Sequence, residues 1–216
     1  MEYQVKTAHG TLFCRREGSG PLLLLIHGVA CDSEFFREAS AILSKKFTVI
    51  SYDRRGYSRS IPAEGETDFS VWAHADDAAE IIGAELKRKH EEEICLEESE
   101  PQMNGAEEQS KVKDGQNIGF FVAGCSAGGA VTAALATKYP ELVRQVFLHE
   151  PLMRGSGELA AEQDAFWEKL HKSAEKHRII TCMMHFVNAM GGMNRDKEGQ
   201  SMEQQSRNLK NLELFL

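Results

Sequence analysis

Basic charge falls short of acidic charge in this 216-residue chain: 25 Lys and Arg stand against 33 Asp and Glu, a net charge of −8. That balance argues against a nucleic-acid partner, which calls for a basic face, and gives no reason to expect attraction to an anionic membrane. Long hydrophobic runs are missing too. The longest uninterrupted apolar stretch, Leu22 to Ile26, is far too short to cross a bilayer. The opening Met1-Glu2-Tyr3-Gln4-Val5-Lys6 lacks the basic-then-apolar order of a signal peptide. The five cysteines, Cys14, Cys31, Cys95, Cys125 and Cys182, are odd in number and scattered without metal-ligand spacing. No metal site is therefore expected, and reduced thiols in the cytoplasm fit best. There is no internal repeat.

A hydrophobic content of 42% is ordinary for a globular protein, and the length suits one domain with room for a subdomain. Runs around Tyr3–Thr7 and Thr11–Arg16, either side of His9-Gly10, read as an opening hairpin. Leu22–Ile26 reads as a central parallel strand buried on both faces. After His27-Gly28-Val29-Ala30, Asp32 or Ser33 can cap a helix running to about Lys45. Phe47–Tyr52 is the next strand, followed by the polar loop Asp53–Ser60, and apolar spacing predicts a helix from about Ser70 to Lys89. Residues 90–116, with Glu91-Glu92-Glu93 and Glu97-Glu98, read as an exposed, irregular acidic insertion.

The stretch that carries chemistry is Gly124-Cys125-Ser126-Ala127-Gly128-Gly129. A short apolar strand, Ile118–Ala123, precedes it, and Ala130–Tyr139 behind it has helical composition. Strand, Gly-x-Ser-x-Gly, helix is the context of a nucleophile elbow, in which close approach of strand and helix holds a strained serine at the tip of a turn. The first N–H groups of the helix are unpaired and can bind a developing oxyanion. A phosphate loop is a poor alternative, since no Lys-Ser/Thr pair follows the glycines and dinucleotide spacing is absent, so no cofactor is expected. One more strand, Val143–His149, completes a strand–helix alternation that implies a parallel, three-layer α/β sheet. Right-handed crossovers would then bring His27-Gly28, Asp53, Ser126 and His149-Glu150 to one edge, where ligands bind in such sheets. From Gly155 onward only helices are expected: one marked by Leu159, Phe166, Trp167 and Leu170, one over Ile179–Met190, and one over Ser201–Leu216.

Four features in this order resemble the α/β-hydrolase superfamily over roughly residues 2–150: the hairpin, His27-Gly28 after a buried strand, Asp53-x-x-Gly56-x-Ser58 after the next, and the elbow. His149-Glu150-Pro151 is similar to a turn in small bacterial and fungal members. The resemblance implies a three-layer α/β-hydrolase fold, its mostly parallel sheet opened by an antiparallel hairpin. It implies a core over 1–154 and a helical cap over 155–216. It also implies Ser126 as nucleophile, with the backbone N–H groups of Val29 and Ala127 as the oxyanion donors. Serine rather than aspartate at this position argues against dehalogenase or epoxide hydrolase chemistry and for acyl transfer on an ester, thioester or similar carbonyl of a small molecule.

The family order of nucleophile, acid, histidine implies further strands after Val143–His149, and none is legible here. The chain thus reads as a C-terminally truncated member, lacking the last strands and the usual acid and base, and weak or inactive as it stands. Glu150 falls where some members place the acid. His149 lies at the correct edge to serve as base, while His171, His177 and His185 read as surface or core residues of the cap. His27 reads as orienting the oxyanion loop, and Asp53, Asp76 and Asp77 as structural. Phe35, Phe36, Met183, Met184 and Phe186 are candidates to line a pocket or to pack the core. The rival reading is a non-catalytic α/β-hydrolase-like protein that binds a ligand or, through the unpaired edge of Val143–His149, a partner or a second copy.

Overall fold

A computed structural model describes residues 1–99, 119–153 and 157–175, together with Glu203, Arg207 and Lys210. Strands β1 (Glu2–Thr7) and β2 (Gly10–Glu17) form the expected hairpin, with Thr7 opposite Gly10 at its turn. β3 (Leu22–Ile26) and β4 (Thr48–Tyr52) are buried at every position, as the unbroken apolar run of β3 demands of a strand covered on both faces, and in β4 Thr48 and Ser51 are buried with Val49, Ile50 and Tyr52. β6 (Phe120–Cys125) alternates buried and half-buried residues, and β7 (Val143–His149) pairs with it in parallel. A two-residue strand, β5 (Ile61–Pro62), joins the start of β2 and has no counterpart in the sequence reading. The strand order is β1-β2-β4-β3-β6-β7, antiparallel at the hairpin end and parallel from β4 onward. This is the mostly parallel α/β sheet expected, and among the described residues it ends at β7.

Helices cover both faces. On one, Leu24, Ile26, Ile50, Phe120 and Val122 pack with Ala75, Ala78, Ile81 and Ile82 of α2 (Val71–Ser99) and with Val131 and Leu135 of α3 (Ala127–Lys138). On the other, Leu23, Leu25 and Val49 pack with Phe36 and with Leu43 of α1 (Arg37–Leu43). Asp32 caps the short 3₁₀ turn Ser33–Phe36 that leads into α1, its carboxylate accepting from the Glu34 N–H.

The acidic stretch departs from expectation. Instead of turning irregular at residue 90, α2 continues through Ser99. Glu, Lys and Arg are good helix formers, and Lys89 and Glu93 pair one turn apart at 3.9 Å. Arg16 of β2 also ties the extension down, meeting Glu85 at 3.2 Å and Glu92 at 3.0 Å. Residues 100–116 of the expected insertion lie outside the described residues. Beyond β7, α4 (Glu158–Glu175) is the first helix expected of the cap. The helix over Ile179–Met190, with Met183, Met184 and Phe186, lies outside the described residues; Glu203, Arg207 and Lys210 are helical. No helix among the described residues is long and apolar enough to cross a membrane.

Candidate active site

Ser126 stands between β6 and α3 with φ +53° and ψ −123°, a backbone conformation that costs a non-glycine residue about 1–3 kcal/mol. Four backbone hydrogen bonds impose it. The Ser126 N–H donates to the carbonyl of His149 at 3.0 Å, and the Ser126 carbonyl accepts from Gly129 and Leu152 at 2.9 Å and from Ala130 at 3.4 Å. The turn is thus locked on one side by its own helix and on the other by the chain leaving β7. Small residues make the geometry possible. A Cβ on Gly124 would lie 2.3 Å from the Gly128 carbonyl oxygen and from Thr132 Oγ1, and one on Gly128 would lie 2.1 Å from the Ile26 carbonyl oxygen. Helix α3 therefore touches both β6 and β3 through bare backbone, an approach closed to any larger residue.

The loop after β3 comes to the same place. A Cβ on Gly28 would sit 3.1 Å from Ser126 Cβ and 3.6 Å from Ser126 Oγ. Val29 follows it, half-buried, and its N–H donates to no backbone acceptor among the described residues. Ala127 is the first residue of α3, so its N–H has no partner within the helix. Gly28, the residue before Val29, thus lies against Ser126, and Ala127 follows the serine at the start of α3.

His27 is fully buried, and both ring nitrogens are committed. Nε2 accepts from the Arg54 N–H at 2.9 Å, which leaves Nδ1 as the donor to the Gly28 carbonyl at 2.7 Å. Burial, reinforced by the Arg54 guanidinium, pushes its pKa down to about 3, so the ring stays neutral and holds the loop rather than moving a proton. Arg54, which sequence reasoning passed over, braces the same carbonyl: its guanidinium donates to Gly28 O at 2.9 Å and lies 4.2 Å from the Tyr57 ring centre. Tyr57 in turn meets the His27 ring edge-on at 5.2 Å.

Asp53 is fully buried and wholly engaged in shaping its loop. One oxygen accepts from the Ser33 N–H at 2.9 Å and the other from Arg59 Nε at 2.7 Å and the Arg59 N–H at 3.1 Å. Asp77 is bonded twice by the Arg55 guanidinium, and Asp76 accepts from Lys138 and Tyr139. All three carboxylates have structural partners, as read. Asp32 does more than cap: its second oxygen accepts from Ser58 Oγ at 2.8 Å and from Arg207 Nε at 3.1 Å, 175 residues away in sequence. Nothing in the pattern of either segment announces that contact, which ties the C-terminal region to the loop beside Ser126.

At the edge beyond Ser126, His149 ends β7 and Glu150 begins the turn, with a left-handed φ of +45°. Both are exposed. The His149 ring lies against Cys125, with Nδ1 3.7 Å from Sγ. His171 falls in α4, and His177 and His185 lie outside the described residues. Phe35 is 46% exposed near the loop, whereas Phe36 is packed against the sheet. Among the described residues no group of three or more His, Cys, Asp or Glu is placed to hold a metal ion.

Comparison with known proteins agrees with the fold. Residues 21–90 match the model of the α/β-hydrolase fold family. The uncharacterized hydrolase YraK of Bacillus subtilis (strain 168) is 31% identical over 170 residues, which cover 77% of this chain and 51% of that protein. The 2-(acetamidomethylene)succinate hydrolase of Mesorhizobium japonicum is 32% identical over 136 residues, covering 63% of this chain and 37% of that one. Among solved structures, an α/β hydrolase from Sphaerobacter thermophilus superposes with a TM-score of 0.64 at 19% identity, over 99% of this chain and 70% of its own. The chain spans about half the length of YraK, or less in the case of the succinate-derivative hydrolase.

Proposed function

We propose that this chain, a member of the α/β-hydrolase superfamily, carries the nucleophile and oxyanion half of a serine hydrolase site. In this reading Ser126 attacks the carbonyl of a small-molecule ester, thioester or similar acyl compound, and the Val29 and Ala127 N–H groups receive the charge that develops on the carbonyl oxygen. The observation that carries it is the strained Ser126 at a strand-to-helix turn, its Oγ within 3.6 Å of the position a Gly28 side chain would take. A structural serine has no need of such a backbone, and strain of this kind concentrates at functional sites.

The proton acceptor is the weak part of the constellation. His27 is neutral and fully bonded, and His149 has Cys125, not Ser126, beside its Nδ1. Among the described residues no histidine stands beside Ser126 as a strong base, so the expected activity is weak or absent, resting on oxyanion stabilisation and binding. Glu150, next to the elbow, is the candidate acid of the family pattern, and His149 the candidate base. The cytoplasm suits its thiols, and the exposed edge of β7 suits association with a second copy.

A fluorophosphonate probe tests this reading directly. Slow labelling that disappears in Ser126→Ala is expected. Labelling of equal rate in both proteins, or its absence from a folded chain at saturating probe, would overturn the nucleophile assignment and leave the reading of a non-catalytic binding protein.

A further inference from the structure

Among the described residues there are two cysteine–histidine neighbours, and they differ in a way that separates an inert thiol from a reactive one. Cys31 Sγ lies 4.0 Å from His27 Nδ1, but Cys31 is buried, and that nitrogen carries its hydrogen to the Gly28 carbonyl. Cys125 Sγ lies 3.7 Å from His149 Nδ1. Here the thiol is half-buried and the imidazole exposed. The contact is built into the sheet: Cys125 and His149 are paired positions of the parallel strands β6 and β7, so their side chains leave the same face side by side. Phe147, two residues earlier on β7 and on that same face, is 67% exposed. The backbone beneath is held firmly, because the His149 carbonyl accepts from the Ser126 N–H whatever its side chain does.

We propose that Cys125, with His149 as its proton acceptor, is a modification site that takes low-molecular-weight disulfides. An imidazole in contact with a thiol draws off its proton, and the thiolate is the form that attacks. The Cys125 S–H proton passes to Nδ1 of His149. The thiolate then attacks one sulfur of the disulfide, a new S–S bond forms as the old one breaks, and the departing thiolate takes the proton back from the imidazolium. The net change is one protein thiol and one small disulfide converted to a protein mixed disulfide and one small thiol. The adduct is carried by the residue preceding Ser126, and a second small thiol reverses it by the same exchange. The site stands whether or not Ser126 is a nucleophile, since the pair needs only β6 and β7.

Dithiodipyridine, a small disulfide whose released thiol absorbs light, provides the test. The full chain is reacted at about pH 6 and the adducts are located by peptide mapping. Cys95, exposed on α2, serves as an internal reference thiol. The first adduct is expected on Cys125, ahead of Cys95. His149→Gln is expected to slow the Cys125 reaction about fivefold, the gain in thiolate fraction being partly offset by its lower nucleophilicity. Cys95 should react at its original rate in that variant, and buried Cys14 should stay unreactive, which reports that the fold is intact. A fast adduct on Cys95 or Cys182 instead, or a His149→Gln protein whose Cys125 reacts within twofold of the original rate, would overturn the proposal.

Discussion

Ser126 keeps an unfavourable backbone because its neighbours outvote it. Two bonds from α3 and one each from the His149 carbonyl and the Leu152 N–H hold the turn, and a glycine would occupy it without strain. Ser126→Gly is therefore expected to raise stability by about 1 kcal/mol in urea denaturation while abolishing fluorophosphonate labelling. Ser126→Ala, which keeps a Cβ, should abolish labelling without that gain. Equal stability of the glycine and alanine variants would show that the strain is not there to be released. The serine itself was legible in the sequence because Gly-x-Ser-x-Gly between an apolar strand and a small-residue helix is a local pattern. Its partners were not. Arg54 is one arginine in a polar loop until folding places its guanidinium 2.9 Å from the Gly28 carbonyl.

Among the elements, β7 is the one left most open. Val146, Phe147 and Leu148 are 39%, 67% and 37% exposed, so both faces of the strand, and its outer edge among the described residues, meet solvent. An exposed apolar edge strand is a template for pairing with another chain. Phe147→Lys is expected to lower concentration-dependent association, read by sedimentation, without loss of helical signal. Association unchanged by that charge would place the contact elsewhere. The element also explains the Ser126 site, because β7 delivers the His149 carbonyl to the elbow and the Cys125–His149 contact to the adjoining face. Helix α2 carries the opposite lesson: composition alone made residues 90–99 look irregular, yet the helix runs on through them and Arg16 on a distant strand pairs with Glu92 there.

At the scale of the whole molecule, two buried imidazoles among the described residues, His27 and His74, make stability fall in acid. Burial pushes His27 down to about 3 and His74 well below its ordinary value, with Arg54 adding to both. In the unfolded chain both titrate near the ordinary histidine value of about 6.5. Below that pH the unfolded chain binds protons that the folded one refuses, so this contribution to stability is fully present above about 6.5. It is lost as pH falls toward the folded values. Each histidine contributes a slope on the order of 1 kcal/mol per pH unit in that window. Urea denaturation between about pH 5 and pH 7 should show the decline, and His74→Phe, which fills the same buried space beside Tyr57, should remove about half of it. An unchanged slope in that variant would mean that His74 is protonated in the folded state.

What the sequence by itself determined is the set of features that depend only on near neighbours. Leu22–Ile26 is buried on both faces because five apolar residues in a row leave a strand no wet side. Asp32 caps the turn it precedes because its short side chain reaches the next N–H groups. Gly124 and Gly128 mark the elbow because only a bare backbone fits there. Tertiary structure alone decided the partnerships: which carbonyl Arg54 braces, that Arg207 reaches Asp32, and that a thiol before the nucleophile stands beside an imidazole at the end of the next strand. Those contacts join residues from 24 to 175 positions apart. Periodicity and turn chemistry act over a few residues, whereas strand order and register set which distant side chains share a face.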